Sequence, residues 1–113
     1  MAAAAALVPN LGRRVFLSVG ARSLEHFSGL RDSWFLVRLI DTPDDPLPLP
    51  QAKLITGRGP FDAASEHRIL EQHRIELLVT RASGGAATEG KIDAARALGL
   101  PVILVRLPAP PPG

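Results

Sequence analysis

The chain has 113 residues, 46% hydrophobic and 21% charged, with a formal net charge of +2. That balance belongs to one folded domain with a core of its own, and it excludes a disordered chain. The absence of cysteine excludes a disulfide framework, a thiolate zinc site, an iron–sulfur cluster and a cysteine nucleophile, and it fits a cytoplasmic protein.

Residues 1–10 read as the end of a helix or as a linker. Met1–Leu7 is apolar, but it lacks a basic flank and is too short for a signal-peptide core. Val15–Val19 follows as a continuous apolar run, the pattern of a strand buried on both faces. Ser23–Leu30 predicts a helix, with Leu24, Phe27 and Leu30 spaced by three and Ser23 as the candidate cap. Phe35–Ile40 predicts the second strand. Asp41–Pro50 then carries Pro43, Pro46, Pro48 and Pro50, so no crossover helix fits there. Either the chain crosses the sheet extended, or the neighbouring pair is not parallel.

Leu54–Thr56 predicts the third strand. Asp62–His73 predicts a helix with Asp62 as N-cap and Ile69 and Leu70 facing inward. Leu77–Thr80 predicts the fourth strand. Gly85–Leu98 predicts a helix with Thr88, Ile92, Ala95 and Leu98 near one face and Gly99 as its stop. Val102–Val105 predicts the fifth strand, and residues 108–113 form a proline-rich tail that sustains neither helix nor central strand. No apolar run approaches the twenty or so residues of a membrane span.

Strands alternating with helices over short loops define an α/β class. The expected architecture is a single Rossmann-like layered domain, with a mostly parallel sheet of about five strands flanked by helices. Ligands of such sheets bind outside the carboxyl ends of the strands. An arginine stands near each of those ends: Arg22 after Gly20, Arg38, Arg58, Arg81 and Arg106. If the strands are parallel, the row forms a positive rim suited to a polyanion. Arg38 and Arg106 have a second reading, as side chains turned into neighbouring helices. Ser83-Gly84-Gly85 joins a strand to a helix. Its free N–H groups and missing Cβ atoms suit a phosphate or carboxylate, with Thr80 or Thr88 adding a hydroxyl. The stretch matches neither a Walker loop nor a Gly-x-Gly-x-x-Gly turn.

His26, His67 and His73 lack the spacing of metal ligands, and no metal site is expected. No nucleophile elbow is present, and no residue presents itself as the catalytic acid. Aromatic residues make up 4% and no basic stripe alternates with them, which argues against nucleic-acid binding.

Several stretches together resemble the carboxyl-terminal half of the precorrin-6A reductase and cobalt-precorrin-6A reductase family. They are Arg14–Leu17 with Gly20, Trp34–Arg38, Leu47–Pro50, Gly59–Phe61, Thr80 with Ser83–Thr88, Lys91, Ala94–Arg96 and Gly99–Val102. The resemblance implies a lobe over residues 11–107 of an NADPH-dependent enzyme that reduces a double bond of an anionic tetrapyrrole in cobalamin biosynthesis. It also implies an amino-terminal lobe as partner, without which the chain is inactive. On that footing Gly20, Arg22, Arg38, Arg58, Thr80, Arg81, Ser83, Gly84 and Gly85 are the expected cofactor- or substrate-binding residues. Ala82 departs from the asparagine common there, and Ala21-Arg22 departs from the pattern after Gly20. The other reading is a stand-alone, non-catalytic α/β module for a nucleotide or polycarboxylate, since no proton donor or complete dinucleotide site is legible.

Overall fold

The apolar runs become five strands, β1 Arg14–Ser18, β2 Trp34–Leu39, β3 Ala52–Thr56, β4 Leu77–Arg81 and β5 Val102–Val105. All four neighbouring pairs are parallel, in the order β3-β2-β1-β4-β5. The computed structural model describes residues 2–57, 62–81 and 86–105, with the backbone alone for residues 2 and 86–88. Three α-helices accompany the strands: α1 Ala2–Leu11, α2 Ala63–Gln72 and α3 Ala86–Ala97.

Because side chains alternate along a strand, the sheet has two apolar faces. On one, Val15, Leu17, Phe35, Val37, Leu77 and Val79 pack with Ala4, Ala5 and Val8 of α1 and with Leu24 and Phe27. On the other, Phe16, Leu36 and Leu78 pack with Leu70 of α2 and Ala94 and Ala95 of α3. Residues 1–10 therefore mostly belong to a helix docked on the core, where Val8 is fully buried.

Two local expectations are corrected. Ser23–Leu30 is not an α-helix: residues Ala21–Phe27 form a 3-10 helix, and Gly20, not Ser23, holds the cap position. Leu24 and Phe27 still point into the core, because a spacing of three suits a helix with three residues per turn. The proline-rich segment crosses without a helix, through a series of bends, between parallel β2 and β3; the alternative of a non-parallel pair does not hold. Leu47 and Leu49 pack on the first face, so this segment covers apolar surface where a crossover helix would otherwise lie.

The helix signals of α2 are met. Asp62 accepts a hydrogen bond from the Ser65 amide at 2.8 Å, and the Ser65 hydroxyl, together with that amide, holds its carboxyl below the ordinary value. Beyond the helix, the Ile75 amide donates to the Leu70 carbonyl at 2.9 Å and the Arg74 amide to the Glu71 carbonyl at 3.1 Å, a Schellman closure. The closure of α3 is the same, with Gly99 at φ 71°. In α2 the left-handed position falls on Arg74, at φ 53°. Relief of its steric cost should outweigh the added freedom of the unfolded chain. Arg74→Gly is therefore expected to raise the unfolding free energy by about 0.5–1 kcal/mol. Urea unfolding checks this, and a loss of stability would show that the Arg74 side chain contributes more than its backbone costs.

Candidate functional site at the carboxyl ends of the strands

The strand order reverses direction at β1 and β4. The connections after β1 and β2 run over the first face, whereas α2 and α3 cover the second. Between β1 and β4 the chain segments leaving the two strand ends therefore diverge to opposite sides. That divergence leaves a crevice, the place where open α/β sheets bind ligands.

A cavity of about 550 Å³ lies there, lined by Ser18, Gly20, Ala21, Arg38, Ile40, Asp41, Gly57, Thr80, Arg81 and Lys91 among others. A shallower groove of about 890 Å³ runs between α2 and α3 past Ala64, His67, Arg68 and Asp93. It lies on the helices, away from the strand ends and their diverging connections. Chemistry therefore places the site in the smaller cavity.

Register explains which side chains meet. Ser18 and Thr80 are opposite partners across β1 and β4. Leu17 pairs with Val37, so Arg38 is the next residue along β2 beside Ser18. Ser18, Arg38 and Thr80 thus share one row on the second face, at its carboxyl end. Lys91 of α3 reaches the same cavity from above.

Gly20 turns the chain out of β1 at φ 87° and ψ 157°, a conformation essentially restricted to glycine. A Cβ there would lie 3.5 Å from an Arg81 guanidinium nitrogen, so Arg81 lies across this turn. Its side chain is exposed at the cavity wall.

Arg38 is a correction to the idea of an exposed rim. Its side chain is buried, and Nη1 lies 2.7 Å from Glu66 Oε1 of α2, with side-chain exposures of 7% and 0%. The guanidinium carbon stands 5.0 Å from the centre of the Phe16 ring, within cation–π range. The reading in which Arg38 turns into a neighbouring helix therefore describes it, although it also lines the cavity floor. The Glu66 contact is an ion pair by distance, but neither carboxylate oxygen has a well-directed hydrogen bond among the described residues.

Lys91 is half-buried. Burial pushes its ammonium below the ordinary value; Glu66 opposes that shift and Arg38 adds to it. Glu66 and Lys91 were not legible as site residues in the sequence. A glutamate and a lysine on helices are ordinary surface residues, and although Lys91 stands among the stretches of the family resemblance, no role followed for it there. The available signal was their place on the sheet-facing sides of α2 and α3, which requires knowing where the helices dock.

The remaining expectations divide. Gly20, Arg38, Thr80 and Arg81 come together at the cavity. Arg22 is exposed on the 3-10 helix and does not line it. Arg58, Ser83, Gly84, Gly85 and Arg106 lie outside the described residues. No cluster of three metal-ligating side chains occurs among the described residues, and no described helix is long and apolar enough to cross a membrane.

The opposite end of the sheet is a structural clasp. Glu76 accepts the Arg13 and Arg14 amides at 2.8 and 3.2 Å, and these bonds hold its carboxyl below the ordinary value. Arg14 donates to the His73 carbonyl at 2.8 Å and covers the Trp34 ring at 4.2 Å. Arginines at the amino ends of the strands are thus engaged in holding β1, β2 and α2 together.

Comparison with known proteins identifies the family. Residues 1–112 match the family described as Precorrin-6x reductase CbiJ/CobK. The chain is 48% identical over 112 residues to precorrin-6A reductase of Rhodococcus erythropolis, covering 99% of this chain and 45% of that one. It is 44% identical over 111 residues to precorrin-6A reductase of Rhodobacter capsulatus, covering 98% and 44%. A solved structure of CobK precorrin-6A reductase superposes with a TM-score of 0.90 at 44% identity, covering 99% of this chain and 46% of that one. The chain thus spans a little under half the length of the relatives it matches.

Proposed function

Because this chain belongs to the Precorrin-6x reductase CbiJ/CobK family, we propose that it is one lobe, the carboxyl-terminal one, of a cytoplasmic reductase of cobalamin biosynthesis. The reaction is the two-electron reduction of one double bond of a precorrin-6A-type tetrapyrrole, with NADPH as hydride source. One observation carries the reading: the cavity at the point where the strand order reverses is walled by Arg81 and Lys91 against one exposed acid, Asp41, with Arg38 at its floor paired to Glu66. The substrate is a polycarboxylate and the cofactor a polyphosphate, and a positive crevice of low dielectric attracts either.

The described residues do not supply a complete dinucleotide cradle. After β1 there is a single glycine turn into a seven-residue 3-10 helix, not the glycine-rich turn into an α-helix that holds a pyrophosphate. In this reading the pyrophosphate is therefore held by the second lobe or by the Ser83–Gly85 turn. This lobe contributes Gly20, Arg38, Thr80 and Arg81 to the guest, with Arg22 and Arg58 as further candidates for holding its anionic groups. Positioning of the macrocycle against the nicotinamide is then the main contribution of these residues.

The experiment adds the amino-terminal half in trans and follows NADPH oxidation with precorrin-6A. Activity from the pair and none from this chain alone is the expected result. A folded, associating pair that leaves NADPH unoxidised overturns the reading and favours a stand-alone binding module.

A further inference from the structure

We propose that Lys91 is the receiving group of a subsite for one singly charged oxyanion of the guest, on the cavity wall beside Thr80 and Ser18. The inference rests on the reading of the cavity as the guest site and goes beyond it by naming the group bound and the residue that binds it.

The argument is one of charge. Arg38 and Glu66 neutralise each other at 2.7 Å in the core. Lys91 belongs to the same electrostatic group, since Glu66 and Arg38 are the charges that act on it. Two cations then share one carboxylate, and one positive charge is left over. Among the described residues Lys91 has no ion pair and no hydrogen bond of its own. Its ammonium is half-buried at a cavity wall, where an uncompensated charge is costly.

A doubly charged guest group would overcompensate, and a neutral one would leave the excess standing. A carboxylate or a phosphodiester matches it. Ser18, opposite Thr80 on the sheet, lines the same cavity and offers a hydroxyl donor, while the Thr80 hydroxyl, now donating to the Arg81 carbonyl at 3.4 Å, can turn to a guest. Glu66 is then a positioning residue: it holds the Arg38 guanidinium, so that the excess charge resides on Lys91.

The other charged groups at this cavity are Arg81 and Asp41, both exposed. Because burial and Arg38 lower the Lys91 value, binding through it should fall off at a pH below 10.5, the ordinary value, while the guest's carboxylates stay ionised.

The test titrates the chain, paired with the amino-terminal half in trans, with two probes, a tetrapyrrole polycarboxylate and NADPH, each by fluorescence at fixed salt. Lys91→Met is expected to weaken one of them at least about 10-fold, the scale of a hydrogen bond to a charged group. Lys91→Arg is expected to stay within about 3-fold of the parent and to move the alkaline loss of binding upward. Lys53→Met, an equal charge change at an exposed site on β3, is expected to leave both affinities alone. The probe that weakens identifies the source of the anion. For the tetrapyrrole, its permethyl ester should bind the parent and Lys91→Met equally.

The thermal midpoint of Lys91→Met should equal or exceed that of the parent, since the substitution removes an uncompensated cation. If Lys91→Met binds both probes as the parent does, the subsite is overturned while the cavity reading stands. If the parent binds neither probe, both fall.

Discussion

Glu66→Ala is expected to lower the folding stability by about 3–5 kcal/mol, the scale of breaking a buried ion pair from one side. Glu66 is fully buried and its carboxylate lies 2.7 Å from Arg38. Alanine would leave the guanidinium in the core without that counter-charge and would open space between α2 and the sheet. The pair itself need not be stabilising, because both charges gave up hydration to enter the core. Arg38→Met combined with Glu66→Leu is therefore expected to recover most of the loss, with stability near that of the parent. The same double variant removes one positive and one negative charge together, so it should leave the Lys91 cation and its affinity for an anionic guest in place. Urea unfolding of the two variants checks the first part. A Glu66→Ala chain within about 1 kcal/mol of the parent would mean that water or rearrangement satisfies Arg38 at little cost.

Phe16→Ala is expected to cost about 3–5 kcal/mol, as for other fully buried aromatic residues. Phe16 lies on β1, the central strand, and is fully buried against α2 and α3. Its ring also lies 5.0 Å below the Arg38 guanidinium, so its loss removes a wall of the core and a platform under the site. Phe16→Leu separates the two. It keeps most of the apolar volume and should cost about 1.5 kcal/mol or less if the core repacks, yet it removes the π face. Denaturant midpoints give the stability term. If Phe16→Leu is as damaging as Phe16→Ala, shape rather than volume governs this layer.

Much of the fold was legible because burial writes itself into sequence. A strand covered on both faces reads as a nearly continuous apolar run, and β1, β2 and β4 do so up to their carboxyl ends, where Ser18, Arg38 and Thr80 stand. The ends of the two long helices were legible for local reasons: Asp62 caps with its own side chain, and Gly99 adopts a left-handed turn. The 3-10 helix was misread because a spacing of three apolar residues fits both helix types over one or two turns. The end of α2 at Arg74 carried no glycine signal at all. There the bonds from the Ile75 and Arg74 amides hold an unfavourable backbone angle in place.

The site was less legible. Gly20, Thr80 and Arg81 could be chosen because they follow strands, and strand ends are where ligands bind. The direction of Arg38 was open, since a strand residue near the sheet's end can face solvent or a helix. What decided it was the docking of α2, which brings Glu66 over β2. Lys91 and Glu66 lie 25 residues apart on different helices, and no spacing rule connects them.

The sequence by itself determined the class, a mostly parallel sheet of about five strands and the family, because each depends on local pattern or on ordered motifs; the parallel pairing across the proline-rich segment came from the structure. Tertiary structure alone decided which cations are neutralised and which remain to meet a guest. Pairing of charges depends on separations of a few ångströms in a medium of low dielectric, and those separations arise when the helices pack on the sheet.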